Sequence, residues 1–195
     1  EEALEAVKEE KAESVLQADA EETEKVNIEK TVTICLNGNN ISLASGKNII
    51  IGSGAAVIIQ GDGQQGTDVK VAGNITAHAG TALTVENCTV EGQLTAHGSS
   101  TVTDSLVTST KSPAFTVNNQ NAAVKLSGSL FLFTGTPSGS GVASAVKFGA
   151  ADTVKMEGCT VQGPREGIYF SGAVREAVID GCAIQGANKE GISFY

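Results

Sequence analysis

The stretch Val85-Glu86-Asn87-Cys88-Thr89-Val90 decides the fold, because its pattern returns four more times along the chain. In each copy the first and sixth residues are apolar, the third is Asn, Asp or Gly, and the fourth is Cys or Ser. The copies begin at positions 85, 102, 126, 156 and 179, which are 17, 24, 30 and 23 residues apart. Such a recurrence is typical of a solenoid built from stacked coils.

The third position of this unit predicts a bend between two strands. Asn, Asp and Gly are the residues that best tolerate a left-handed backbone conformation, so we expect Gly181 to have a positive φ. The flanking apolar residues and the small fourth residue would then point inward. Loop insertions on one side of the solenoid would account for the unequal spacings.

The composition agrees with an all-β chain. Apolar residues make up 41%, there is no Trp, and Gly (23 residues) is far more abundant than Pro (3 residues). From Val26 onward no 3.6-residue period is sustained, so helical repeats are excluded. Val146-Lys147-Phe148, Ile168-Tyr169-Phe170 and Ile192-Ser193-Phe194 align, which predicts three stacked Phe rings. Since Tyr195 lies just inside a new strand, we expect the solenoid to continue in the native protein.

Two regions differ in charge. Residues 1–25 hold ten acidic and three basic residues, whereas residues 26–195 hold twelve acidic and ten basic residues and are nearly neutral. The first region contains good helix formers, so it is interpreted either as a short amphipathic helix that caps the solenoid or as an acidic linker. Residues 26–195 form the predicted solenoid domain.

Charge and hydropathy also limit the function. The chain carries a net charge of −9 and has no basic patch, which argues against a nucleic-acid partner. No apolar run approaches the ~18 residues that a membrane span requires. Because the sequence begins with Glu1 and not with Met, we expect any targeting signal to lie outside it.

The motifs NCTVEG (87–92), GCTVQG (158–163) and GCAIQG (181–186) resemble those of the pectate-lyase-like superfamily of right-handed parallel β-helices. The opening run TVTICLNGNNISL (31–43) is similar to the start of β-helix domains in large bacterial surface proteins. The resemblance implies an all-β, right-handed parallel β-helix and a secreted or cell-wall location. It says little about activity, because this fold carries lyases, hydrolases, esterases and adhesins.

The charged turns are the main candidate site. Arg165-Glu166 and Lys189-Glu190 occupy matching turns, so stacked coils would bring two cations and two carboxylates together into a ridge that contacts glycans. Pectate-lyase-like enzymes use similar residue types on acidic sugars, but here only the residue types match. Salt-bridged, solvated turns are the alternative interpretation.

Other motifs are weaker. Cys159 and Cys182 could form a disulfide, or the inward cysteines could be free thiols that pack as small apolar residues.

The run GDGQQG (61–66) is followed by a strand pattern instead of the helix that a dinucleotide site needs, so it is interpreted as a loop. Asp62 and Asp68 are too few carboxylates to predict calcium. His78 and His97 could stack on neighbouring coils but lack a third metal ligand.

We therefore predict a non-catalytic β-helix module of a secreted or cell-surface bacterial protein, with no cofactor, no metal and no catalytic residues. It would act as a stalk, as an adhesive surface, or as a weak binder of polysaccharide or cell-surface glycan. The alternative is a lyase or glycoside hydrolase that acts on acidic polysaccharide.

Overall fold

The computed structural model describes residues 13–62, 69–137 and 143–195. Across these residues the chain forms 23 strands and no helix, and every strand pairing is parallel. The strands wind into eight coils, numbered here from the N-terminus, and each coil supplies one strand to each of three sheets. The prediction of an all-β parallel β-helix is confirmed.

The three sheets run along the length of the solenoid. Sheet 1 consists of β1 (Glu13–Val15), β4 (Val32–Cys35), β7 (Ala56–Gln60), β10 (Ala82–Glu86), β13 (Ser99–Thr103), β16 (Ala123–Ser127), the second half of β18 (Ser144–Glu157) and β21 (Val174–Asp180). Sheet 2 consists of β2 (Ala20–Glu22), β5 (Ile41–Leu43), β8 (Lys70–Ala72), β11 (Thr89–Glu91), β14 (Leu106–Ser109), β17 (Leu130–Phe133), β19 (Thr160–Gln162) and β22 (Ala183–Gln185). Sheet 3 consists of β3 (Val26–Ile28), β6 (Asn48–Ile51), β9 (Asn74–Ala77), β12 (Leu94–Ala96), β15 (Phe115–Asn118), the first half of β18, β20 (Glu166–Phe170) and β23 (Glu190–Phe194).

The repeated motif forms the corner between sheets 1 and 2. All five residues at its third position have a positive φ, between 46° and 60°: Asn87, Asp104, Gly128, Gly158 and Gly181. The first residues of the motif pair directly across neighbouring coils, in the order Val85, Val102, Leu126, Met156 and Ile179. The predicted bend and its register are therefore confirmed.

The core is a set of ladders formed by alternate residues of each strand, since successive side chains of a strand point to opposite faces. In sheet 3 Phe148 pairs with Phe170, and Phe170 pairs with Phe194, as predicted. Their ring centroids are 5.1 and 4.9 Å apart, and the second pair is stacked with an interplanar angle of 10°. Phe148 is fully buried, whereas Phe194 on the last coil is 75% exposed.

Residues 13–22 form strands where the sequence favoured a helix or a linker. β1 pairs with β4 and β2 with β5, so this part of the acidic segment belongs to the first coil. Leu16 and Ala20 are buried, and their amides donate to backbone carbonyls of the second coil. The parallel edge of that coil satisfies more backbone groups than an isolated short helix would, so tertiary pairing overrides helix propensity. Residues 1–12 lie outside the described residues.

Long connections occur at two corners of the solenoid, and only the one between β17 and β18 lies between copies of the repeated motif, within its longest spacing. The connection between β7 and β8 in coil 3 is long, and so is the connection between β17 and β18 in coil 6. The GDGQQG run falls in the first of these, and its residues 63–66 lie outside the described residues, as does Asp68. The described residues contain no helix, and so no helix among them that could cross a membrane.

Candidate functional site

The two predicted charged turns do stack. Glu166 pairs with Glu190 in the register of β20 and β23, and the Lys189 amide donates to the Arg165 carbonyl at 3.1 Å. Arg165 is half-buried, whereas Lys189 and Glu190 are exposed. The ridge is therefore present as a stack of turns, and glycan contact by its residues stays a prediction.

Glu166 does not lie on the surface of this ridge. It begins β20 on the same side of the strand as Ile168 and Phe170, and its side chain is only 7% exposed. Its Oε2 atom accepts a hydrogen bond from the Ala143 amide at 2.9 Å, and its Oε1 atom lies 4.0 Å from Lys189 Nζ. Glu166 thus holds the backbone of a neighbouring coil and is not presented to a ligand.

The two histidines sit on neighbouring coils. Ala77 pairs with Ala96, which places His78 and His97 at equivalent positions of adjacent coils. His97 Nδ1 lies 3.4 Å from the Asn118 carbonyl oxygen, and His78 is exposed. The described part of the chain contains no group of three or more His, Cys, Asp or Glu side chains that could hold a metal ion.

All four cysteines are free thiols. Burial raises the pKa of Cys88 to about 12 and is also the main cause that raises the pKa of Cys159 to about 11. Cys88 is followed in its ladder by Ser105 and Ser129, and the Cys88 amide donates to Ser105 Oγ at 3.3 Å. These positions lie at the corner, directly after the positive-φ residue of each coil.

The outer face of sheet 1 gathers charges that are far apart in sequence. Lys125 pairs with Lys155 on the next coil, and Glu157 pairs with Asp180. Lys155 Nζ lies 2.9 Å from Glu157 Oε1, and both side chains are about half exposed. This face therefore places two carboxylates on neighbouring coils beside a lysine, which the sequence motifs did not reveal.

A second ion pair lies at the start of the same face. Arg175 Nε lies 2.6 Å from Asp152 Oδ1, and its Nη2 lies 3.2 Å from Oδ2, so the contact is bidentate. The hydrogen bond from Arg175 lowers the pKa of Asp152, and the same hydrogen bond raises the pKa of Arg175. Both side chains are well exposed, so the pair contributes little to stability.

A groove lies where sheet 2 turns into sheet 3. Its volume is about 380 Å³, and we call it the hydroxyl groove. Most of its side chains are hydroxyls or charged groups: Asn74, Glu91, Thr108, Ser109, Thr110, Lys111 and Thr134, with Gly92 at the floor. The residues come from four successive coils.

Unequal corners create the hydroxyl groove. Coil 4 passes from β11 to β12 through only Gly92 and Gln93, whereas the corners of coils 5 and 6 are longer. Gly92 lies directly on the coil below, because a Cβ atom there would come 2.2 Å from the Gly73 carbonyl oxygen. Coil 3 turns at the same corner through Gly73 alone, so the short corners of coils 3 and 4 are recessed beside the longer corners of coils 5 and 6. The corner of coil 4 belongs to the shortest spacing of the repeat, between Val85 and Val102.

Charges stand on both sides of the hydroxyl groove. On one side Glu91 Oε2 lies 3.1 Å from Lys70 Nζ. On the other side Lys111 is exposed, and only its backbone amide has a partner among the described residues, namely Ser109 Oγ at 3.0 Å. The hydroxyls of Thr108 and Thr110 likewise have no hydrogen-bond partner within the described ranges. These three groups are available to a ligand.

A second recess continues from the first. It has a volume of about 310 Å³ and shares Thr110 and Lys111 with the hydroxyl groove. Its other lining residues are Ser112, Phe133, Thr136, Pro137 and Ala143. Lys111 thus stands between two adjoining recesses, which together could accommodate an elongated ligand.

Comparison with known proteins finds no relative of this chain. No protein-family model, no curated protein and no solved structure matches the chain.

Proposed function

We propose that the chain is a non-catalytic β-helix module of a secreted or cell-surface bacterial protein, which serves as a rigid stalk and binds glycan chains weakly in the hydroxyl groove. The observation that carries this proposal is a recess lined by hydroxyls, with an unpaired ammonium group among the described residues, on a continuously paired scaffold. The ridge at Arg165, Lys189 and Glu190 is a second place where a glycan could be held.

The chemistry of the groove suits a polyhydroxylated ligand. Thr and Ser hydroxyls both donate and accept hydrogen bonds, as sugar hydroxyls do. Lys111 adds a cation that favours a carboxylate or sulfate group on the sugar, and the Lys70–Glu91 pair supplies further polar contacts. A recess of about 380 Å³ lies near the lower end of the ~300–1,000 Å³ found for ligand pockets.

The expected affinity is low. Phe133 lines the second recess but is only 5% exposed, so it offers no flat ring for a sugar to stack on. Binding then depends on hydrogen bonds that replace those to water, and each contributes only ~0.5–1.5 kcal/mol. A dissociation constant on the order of 1 mM, equivalent to about −4 kcal/mol, is expected, and it should weaken as salt screens Lys111.

The proposal is tested by NMR titration with a panel of acidic and neutral oligosaccharides. Acidic chains should shift the amide resonances of Thr108, Thr110 and Lys111, and Lys111→Ala should abolish most of the shift. Lys125→Ala is the matched control, because Lys125 is an exposed lysine on the outer face of sheet 1. Equal binding by the Lys111→Ala variant, or shifts confined to another surface, would refute the groove as the site.

A second candidate is hydrolysis or lyase cleavage of an acidic polysaccharide on the outer face of sheet 1. It is favoured by one observation, the pairing of Glu157 with Asp180 beside Lys155. Retaining glycosidases hold two carboxyl groups ~5–5.5 Å apart. Such pairs usually place one carboxyl in an apolar environment, whereas Glu157 is 50% exposed, so this candidate ranks second.

The second candidate is separated from the first by an activity assay. Acidic and neutral polysaccharides are incubated with the protein, and new reducing ends and unsaturated products are measured with and without calcium. Turnover that is lost in Glu157→Gln and Asp180→Asn but kept in Lys111→Ala would establish the enzyme. Absence of turnover from a protein that still binds oligosaccharide would leave the non-catalytic proposal standing.

A further inference from the structure

Two of the four thiols lie on neighbouring coils at equivalent positions. Thr160 pairs with Ala183 in sheet 2, so Cys159 and Cys182, which directly precede them, are one coil apart. The Ala183 amide donates to the Cys159 carbonyl at 2.9 Å, which fixes the two backbones side by side. Paired strands are ~4.8 Å apart, within the ~4.4–6.8 Å between Cα atoms that a disulfide accepts.

The two side chains also have matching orientations. The residues before them, Gly158 and Gly181, have nearly the same φ, 60° and 58°. Cys159 Sγ donates to the Glu157 carbonyl at 3.6 Å, and Cys182 Sγ donates to the Asp180 carbonyl at 3.3 Å. Each thiol therefore points back toward the residue two positions before it, and the two sulfur atoms face the same corner of the solenoid.

The other two cysteines have no cysteine neighbour. Cys88 follows the same pattern, but the neighbouring coils place Val69 and Ser105 at its position. Cys35 lies on sheet 1 between Val15 and Gln60. Among the four thiols, all of which lie in the described residues, the register thus brings together one pair.

We propose that Cys159 and Cys182 are an oxidisable pair, and that their disulfide ties coil 8 to coil 7. In the described structure the core ladder residues Ile192 and Phe194 of coil 8 are 37% and 75% exposed, whereas their partners Ile168 and Phe170 in coil 7 are 0% and 4% exposed, so a tie to coil 7 would hold coil 8 in place. This inference is independent of the glycan proposal, since neither cysteine lies in the hydroxyl groove or in the ridge.

The reaction is thiol–disulfide exchange with a small disulfide such as oxidised glutathione. The thiolate of Cys182, the more exposed of the two, attacks one glutathione sulfur, forms a mixed disulfide and releases one glutathione thiol. The thiolate of Cys159 then attacks the Cys182 sulfur and releases the second glutathione. Two protein thiols and one oxidised glutathione thus become one protein disulfide and two reduced glutathione molecules.

The second step should depend steeply on pH. Burial raises the pKa of Cys159 to about 11, and only the thiolate is the nucleophile. The thiolate fraction of Cys159 therefore rises about tenfold for each pH unit up to that value. The mixed disulfide at Cys182 should accumulate near pH 7 and convert to the internal disulfide faster near pH 9.

The experiment incubates the folded protein with oxidised glutathione at pH 7 and pH 9, then quenches it with acid and maps the disulfides by mass spectrometry. At pH 9 we expect the thiols counted after denaturation to fall from four to two and a peptide pair that links Cys159 to Cys182. Amide exchange in 174–194 should slow relative to the reduced protein. Four remaining thiols, a link between other cysteines, or unchanged exchange after linkage would overturn the proposal.

The control variants use serine, which already occupies equivalent positions as Ser105 and Ser129 and so should be tolerated. Cys88→Ser should form the disulfide as readily as the wild type. Cys159→Ser should stop at the glutathione adduct of Cys182, and Cys182→Ser should form no internal disulfide at all. A disulfide that still forms in either of the last two variants would contradict the assignment of the pair.

Discussion

Five residues with a positive φ make the same corner in five successive coils. Two of them are Asn87 and Asp104, and the remaining three are glycines. Asn, Asp and Gly share a low cost for the left-handed conformation, which for other residues is ~1–2 kcal/mol. The identity of the side chain at this position is therefore set by backbone conformation, because the side chain at Gly158 would meet open space.

Gly158 allows this cost to be measured without a steric clash. A Cβ atom at Gly158 would have no atom within 4 Å, so a substitution tests the backbone alone. Gly158→Val should lower the free energy of unfolding by ~1–2 kcal/mol or more, whereas Gly158→Asn should change it by less than ~0.5 kcal/mol. Urea denaturation measures both variants, and equal stability of the two would contradict the bend assignment.

Cys88 gives the protein a pH-dependent stability in the alkaline range. Its pKa is raised from 9.0 to about 12 in the folded protein, so the unfolded chain loses this proton first as the pH rises. The contribution is fully present below about pH 9 and is lost between pH 9 and pH 12. The melting temperature of the wild type should therefore fall more steeply over this pH window than that of Cys88→Ser. Parallel plots of melting temperature against pH for the two proteins would exclude the effect.

At the scale of the elements, the parallel strands stabilise one another through ladders, in which equivalent residues of successive coils pack together. Phe148 is enclosed by Phe115, whose ring centroid is 6.4 Å away, and by Phe170, whose ring centroid is 5.1 Å away. Phe194 occupies the same ladder on the last coil but has a neighbour on one side only. The same residue type in the same register thus contributes differently according to its coil.

A pair of substitutions measures this difference. Phe148→Ala should cost ~3–5 kcal/mol, because it removes a fully buried ring and leaves a cavity. Phe194→Ala should cost less than ~1 kcal/mol, since that ring is 75% exposed. Denaturation curves of the two variants decide the matter, and a large effect of Phe194→Ala would show that the last ladder position is better packed than its exposure indicates.

Sequence reasoning succeeded for features that are local. The bend depends on one backbone conformation, and the Phe ladder depends on the two-residue alternation within short strands. The burial of Glu166 could not be predicted, because it depends on whether β20 begins at that residue or after it. The hydroxyl groove could not be predicted either, since it arises from the unequal corners of four coils, although the 17-residue spacing from Val85 to Val102 was its visible signal.

At the scale of the whole molecule, each coil contacts only its immediate neighbours. Stability in such a solenoid is approximately a sum over coils and over the interfaces between them. The first coil buries Leu16, Val26 and Ile28 almost completely, whereas the inward residues Ile192 and Phe194 of the last coil stay substantially exposed. The two ends of the described structure therefore differ in how firmly they are held.

This asymmetry predicts the order in which the reduced protein opens. Local opening is easiest where few apolar contacts must be broken, and the last coil has one paired neighbour and an exposed apolar surface. Amide hydrogen exchange at neutral pH should be fastest in β21, β22 and β23, slower in β19 and β20, and slowest in coils 3 to 5, which have paired neighbours on both sides. Exchange that is uniform along the chain would instead indicate one cooperative unit, and the additive description by coils would then fail.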